Sequence, residues 1–471
     1  MAPRLTAGLQ RQQHSSGLSY SLPNELLAQI FICWADIDED GAWMASCVSQ
    51  RWRRVVLSCS EVWCRIWVNL KPPAEEEDES WCVEEEFDHY RGKRRPMNLW
   101  LERSGAAELF LIFQVGAIAP VGWAINDMLN ILAPHTSRFR EVTLQVDFCL
   151  LANALLELLW EHAPALTHID IICPKRIITD DKRTMDSLWT ALDKAKGVRS
   201  LTCRGSLPPK INETLQPSML RILVLEDVTA PIAHFRDGLE ACQFLEQLFI
   251  RRVTLDTFNI RFTPLPPPKI VTLPALSLLH LENCSAEKIM NLLDTPNVRT
   301  LRAQNLVPYG TLSNRLDLDG IRGVNATMER FGGNLAAFIQ RNSLELVTLY
   351  LNCSSIPDAS LLQLLTSNSI LRHLYLIDSF VGEPFMLGLA QNMQDTDKPI
   401  CPVLESITLE SCPLLSGKMV IDLIRSRNSG PSPIMSLTIG RCAMVNTAHI
   451  QILRTIDPER LRVNVVPEID S

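Results

Sequence analysis

Leu404-Glu405-Ser406-Ile407-Thr408-Leu409-Glu410-Ser411-Cys412 is the stretch on which the reading of the fold turns, because its spacing returns along the chain. Leu276-x-x-Leu279-x-Leu281-x-x-Cys284 and Ile434-x-x-Leu437-x-Ile439-x-x-Cys442 repeat it position for position. Apolar residues two apart point to one face of a short strand, and the trailing cysteine can turn in beneath the backbone where the chain leaves that strand. Further copies begin at Leu166, Val198, Leu220, Leu245, Val298, Leu346 and Leu371, with weaker ones at Pro96, Phe139 and Pro458. Most intervals are 22 to 33 residues, enough for a strand and a helix, and Ile356 to Leu365 and Gly417 to Arg427 read as such helices. Thirteen stacked units would make a curved parallel sheet roughly 60 Å long at about 4.8 Å per strand. Gln304 to Asn342 holds no good copy, so either a degenerate repeat sits around Leu316 and Leu318 or a long insertion does.

Composition narrows the function. In a chain of 471 residues, a hydrophobic content of 46% excludes a mainly disordered protein. A net charge of -8 provides no long-range pull toward nucleic acid, and basic clusters such as Gly92-Lys93-Arg94-Arg95 are short. The fourteen cysteines are scattered through apolar runs with no Cys-x-x-Cys pair and no secretory signal, so they read as reduced core residues. On the same ground the sequons at Asn212, Asn325 and Asn352 read as chance. Leu109 to Ile125 is apolar but includes Gln114, Gly116, Pro120 and Gly122, and is expected to be a buried strand followed by a helix. No Gly-x-Ser-x-Gly, His-Glu-x-x-His, phosphate loop or zinc-spaced cluster is present, Asp317-x-Asp319-Gly320 reads as a turn, and the nine histidines, His162 and His168 among them, are dispersed.

The start of the chain follows a different period. Pro23 suits a helix N-terminus and Glu25 faces the positive end of the helix dipole, so a helix is expected from about Leu22. Leu26, Leu27, Ile30, Phe31 and Trp34 recur at helical steps and give one wide apolar face. A second amphipathic run from Trp43 to Leu57 is expected to carry Ala45, Val48, Trp52 and Val56 inward, with Arg51, Arg53 and Arg54 outward. Periodicity of this kind reports burial, not against what, but about fifty residues bury too little surface to be robust alone. Ala35 to Gly41 reads as an acidic loop. Its Asp36-x-Asp38-x-Asp40-Gly41 opens like a calcium loop, yet the twelfth position is Cys47 where a bidentate Glu is required.

Leu22-Pro23-Asn24-Glu25-Leu26-Leu27-x-x-Ile30-Phe31, then Val48-x-x-x-Trp52-Arg53, then Trp63, resembles an F-box across residues 22 to 66 and departs from that pattern in the acidic loop. The array resembles an irregular leucine-rich repeat protein. Leu99 to Gly105 and Pro134 to Arg140 are similar to elements of F-box proteins from mushroom-forming fungi. The resemblance implies a small all-α head followed by a leucine-rich-repeat-like α/β solenoid. Its segments would be a tail (1-18), the head (19-70), an acidic linker (71-95), the solenoid (96-466) and a short tail (467-471). It also implies a cytoplasmic or nuclear, non-catalytic subunit without cofactor or metal. In that subunit Leu22, Pro23, Glu25, Leu26, Ile30, Phe31, Val48, Trp52 and Trp63 would dock on the Skp adaptor of a cullin ubiquitin ligase, and the repeats would hold a protein target. Variable strand residues of a repeat array face its concave side, which nominates Phe249, His280, Arg302, Tyr350 and Tyr375 for that target. The competing expectation is a repeat scaffold acting outside any ubiquitin ligase.

Overall fold

A computed structural model describes residues 22–70, 96–115, 122–146, 163–172, 197–206, 219–256, 269–305, 331–352, 356–390, 400–430 and 432–466. The terminal tails, the charged stretch 71–95, His162, Asn212, Leu316 to Asp319 and Asn325 lie outside them. The chain forms two compact units, residues 1–114 with 120–140, and residues 115–119 with 141–471.

The first unit opens with α1 (Asn24–Ile37), α2 (Gly41–Val48) and α3 (Gln50–Ser58). Leu27, Phe31, Ala35, Ala42, Ala45, Val55, Val56, Val62 and Trp63 form its core. Trp63 is buried with its indole N–H donating to the Val56 carbonyl at 2.9 Å, so the largest core side chain leaves no polar atom unsatisfied. α1 ends only at Ile37 because Ala35 is packed, which shortens the expected acidic loop to three residues, 38–40. Asp36 lies on the helix and pairs with Arg65 at 2.8 Å, and Asp38 closes the turn by accepting the Asp40 N–H at 2.9 Å. Gly41 is needed there, since a Cβ would stand 2.9 Å from the Trp34 carbonyl oxygen. The run from Trp43 to Leu57 is two helices, not one. Ser49 adopts an extended conformation between them and caps α3 by accepting the Trp52 N–H at 3.1 Å.

β1 (Arg65–Leu70) pairs with β2 (Leu109–Val115), and α4 (Gly122–Leu132) follows, the strand and helix expected for Leu109 to Ile125. Residues 96–103 are helical, with Met97 and Leu101 buried, so the weak copy beginning at Pro96 is not a strand.

The second unit is a parallel ladder. Its strands are β3 (Phe139–Val146, from residue 141), β4 (His168–Ile172), β5 (Ser200–Ser206), β6 (Ile222–Pro231) and β7 (Gln247–Arg251). After β8 (Thr254–Asp256) and β9 (Val271–Thr272) come β10 (Leu278–Glu282), β11 (Leu293–Asp294), β12 (Thr300–Gln304) and β13 (Thr348–Asn352). β14 (His373–Ile377), β15 (Ser406–Glu410), β16 (Ser436–Gly440) and β17 (Arg462–Val466) complete it. All but β8, β9 and β11 pair in chain order, in parallel, to form an open curved sheet. β8 pairs with β6, and β9 with β11.

The repeat reading locates these strands directly. In each ladder strand from β3 to β16, β8, β9 and β11 aside, the second and fourth aligned residues, such as Leu279 and Leu281 or Ile407 and Leu409, are buried, as is the apolar residue three positions before the first of them. β12 pairs directly with β13, so no strand stands between them in the ladder, while Leu316 and Leu318, where a degenerate repeat is one of the two expectations, lie outside the described residues. At the far end Val463 and Val465 take the places of Leu437 and Ile439, so the last copy begins two residues later than Pro458 suggests.

Left-handed backbone recurs within β6 at Asp227 and just past the other strands at Arg252, Asn283, Asn305, Asp378, Ser411 and Arg441. At Arg252, Asn283, Asn305, Asp378 and Ser411 the N–H donates to the last carbonyl of the next strand in the ladder. Turning the chain this way brings Cys284, Cys412 and Cys442 inward, and Cys442 Sγ lies 3.3 Å from the Gly440 carbonyl. Helices α5 (Ile232–Glu240), α6 (Ala286–Leu292), α7 (Asp358–Thr366), α8 (Glu383–Ala390), α9 (Gly417–Asn428) and α10 (Thr447–Ile456) cover the apolar side, through residues such as Leu365, Phe385, Ile424 and Leu453.

Candidate functional site

Two surfaces carry the residues that the sequence nominates. On the head, α1 has two apolar stripes where a solvent-facing helix normally has one. Leu27, Phe31 and Ala35 form the inner stripe. Leu26, Ile30, Cys33 and Ile37, at steps of four, three and four, form an outer one, with Leu26 50%, Ile30 48% and Ile37 81% exposed. Met44, Cys47 and Val48 on α2 and Leu57 on α3 are exposed as well. Val48 is 58% exposed, the reverse of its expected inward position, because the helix break at Ser49 rotates it away from the core.

The nominated head residues therefore divide. Pro23, Glu25, Leu26, Ile30 and Val48 are accessible, while Leu22 and Trp52 are half-buried. Trp52 packs on Phe31 with ring centroids 4.8 Å apart. Phe31 and Trp63 are fully buried, so they support the surface from within. Arg51 reaches back to the Leu22 carbonyl and to Asn24 Oδ1 at 3.0 Å, tying α3 to the start of α1. Cys33, Ile37, Met44 and Leu57 were legible only as further helical positions. Nothing in their residue types separates an outer stripe from an inner one.

On the array, the five nominated residues stand in one row. Phe249 pairs in register with His280, His280 with Arg302, Arg302 with Tyr350, and Tyr350 with Tyr375. Their side chains leave the sheet on the side opposite the leucine core. The Tyr350 and Tyr375 rings lie 5.7 Å apart, and the Arg302 guanidinium is 6.0 Å from the Tyr350 ring. Phe249 meets the His280 ring edge-on at 5.8 Å. Phe249, Tyr350 and Tyr375 are half-buried and Arg302 is exposed, but His280 is only 4% exposed. Burial, reinforced by Arg251 and Arg302 and opposed by Glu282, holds the imidazole below its ordinary proton affinity.

The ten described cysteines are free thiols. Burial pushes Cys203, Cys242, Cys284 and Cys401 up to about 12, far from a reactive thiolate. No group of three or more metal-ligating side chains is found among the described residues, and no described helix is long and apolar enough to cross a membrane.

No protein-family model matches the chain, and no curated protein does. Among solved structures the chain is similar to one titled as a complex of Rad7 and Elc1 in yeast, at 15% identity and a TM-score of 0.39, over 97% of this chain and 96% of that one. It is also similar to a TLR13–ssRNA13 complex, at 14% identity and a TM-score of 0.39, over 70% of this chain and 42% of the other.

Proposed function

We propose that the chain is a non-catalytic adaptor of a Skp/cullin-type ubiquitin ligase, in which the helical head docks on the Skp adaptor and the repeat array holds the protein to be modified. The observation that carries this reading is the outer stripe of α1. A complete core already lies beneath it, so Leu26, Ile30, Cys33 and Ile37 are not needed to fold the head, yet they are apolar at every step. A patch of this kind on a soluble unit is the mark of a surface that another protein covers. The array contributes a long, unenclosed strand face, the usual seat of a partner in repeat proteins. Ubiquitin transfer itself is assigned to other subunits, and the reading requires no cofactor.

The test is co-purification of full-length chain with a Skp adaptor. Leu26→Asp with Ile30→Asp is expected to abolish capture while leaving the thermal unfolding transition in place, because both side chains are half-exposed. Undiminished capture by that variant sinks the ligase assignment. Failure of the unaltered chain to capture the adaptor at all favours the scaffold alternative.

A further inference from the structure

The strand face of the array is uneven in charge. Arg204 lies 3.5 Å from Asp170 and 3.2 Å from Glu226, and Arg251 lies 3.5 Å from Glu282. Arg302 differs: among the described residues no carboxylate stands within ion-pair distance of it, and its neighbour is the Tyr350 ring. The groups beside it are closed off: His280 is buried next to Gln304 and Glu282, its Nε2 3.7 Å from the latter, and Asn352 Oδ1 is buried as well, so Arg302 and the Tyr350 and Tyr375 rings are what this face offers a ligand.

We infer that the face of β10 to β14 binds an extended peptide segment in which a carboxylate stands beside an aromatic or large aliphatic side chain. The carboxylate meets Arg302, and the apolar side chain lies on the Tyr350 and Tyr375 rings. The inference rests on the array being a protein-binding surface, as proposed above, and adds the chemistry of what it takes. The adjoining row argues for one anionic group and against a chain of phosphates. It holds Arg204, Glu226, Arg251 and Glu282 in succession on β5, β6, β7 and β10, with Arg204 paired to Glu226 and Arg251 to Glu282, so it offers no run of unpaired positive charge to a nucleic-acid backbone.

A phage-displayed library of random peptides, panned on the full chain and on its variants, tests this. Enriched peptides are expected to carry Asp or Glu at positions adjacent or alternate to Trp, Tyr, Phe or Leu. Arg302→Gln is expected to erase the acidic preference and to weaken the best peptide roughly tenfold by fluorescence anisotropy, with Arg302→Lys intermediate. Tyr350→Ala with Tyr375→Ala is expected to erase the aromatic preference. Absence of enrichment, a consensus insensitive to Arg302→Gln, or binding of a labelled single-stranded RNA in place of peptides overturns the inference. Skp-adaptor capture by the same preparations is scored separately, so loss of the ligase reading with peptide binding intact remains distinguishable.

Discussion

The head and the array arrive at opposite surfaces from a shared plan, a periodic element with one face packed and the other left open. On α1 the open face, Leu26, Ile30, Cys33 and Ile37, is as apolar as the packed one. On the strands the packed face is Leu and Ile, whereas the open one mixes Phe, His, Arg, Tyr and Thr. Apolar surface is driven out of water without regard to direction, so the outer stripe of α1 is the costlier of the two faces to leave exposed. Arginine and aromatic side chains can hold a range of ligands while staying solvated. The difference teaches that the head leaves apolar surface in water which its own core does not need, whereas the array leaves polar and aromatic surface there.

The contrast breaks most visibly within α1 itself. Phe31→Ala or Trp63→Ala is expected to destabilise the head by about 3–5 kcal/mol, read by urea unfolding, because each empties a packed site. Ile37→Ser is expected to stay within about 0.5 kcal/mol of wild type and yet to weaken adaptor capture. Equal losses of stability from Phe31→Ala and Ile37→Ser would show that the two stripes are one core. In the array the comparable internal support is polar. Asn342 Oδ1 accepts the Thr295 N–H at 2.6 Å while its Nδ2 donates to the Phe338 carbonyl at 2.8 Å, and Asn368 bridges Leu346 and Leu364 in the same way. Asn342→Leu strands a buried N–H and is expected to cost about 1–3 kcal/mol by the same measurement.

The ladder was legible in the sequence because period two with a fixed leading apolar residue has one physical solution, and every copy from Phe139 to Ile434 became a strand. Pro96 failed since Leu99 and Leu101 fit a helix as readily as a strand once Met97 shares their burial. Between Gln304 and Asn342, sequence spacing left a degenerate repeat and an insertion equally open, and the register of β12 with β13 adds that no further strand comes between those two in the ladder. The strand row from Phe249 to Tyr375 was legible as positions, because register follows from the repeat. The burial of His280 was not, since it depends on which neighbours cover it. On the head, a stripe of Leu and Ile reads alike whether it faces inward or outward. The asparagine bridges and left-handed exits had no signal beyond isolated Asn, Asp and Ser.

Two weaker effects sharpen the comparison through the solvent. Raising salt from about 0.05 M to about 0.5 M shortens the reach of exposed charges. It is expected to weaken peptide binding at Arg302 a few-fold by anisotropy and to leave adaptor capture unchanged; equal salt sensitivity at both surfaces would mean that the head also binds through charge. The smallest effect is acid sensitivity. Folding places His280 where burial, Arg251 and Arg302 disfavour its proton, with Glu282 only partly opposing them, so its folded value lies below the ordinary 6.5. Above that ordinary value the imidazole is neutral in both states and contributes no slope. As the pH falls through it, the unfolded chain takes up a proton that the folded chain refuses, and stability declines until the folded value is reached. His280→Phe removes the group while keeping a ring against Phe249. Its unfolding midpoint in urea is therefore expected to fall less than that of wild type between about pH 7.5 and about pH 5. Parallel declines in the two proteins would place the acid-sensitive group elsewhere and leave the head and the array alike in their response to protons.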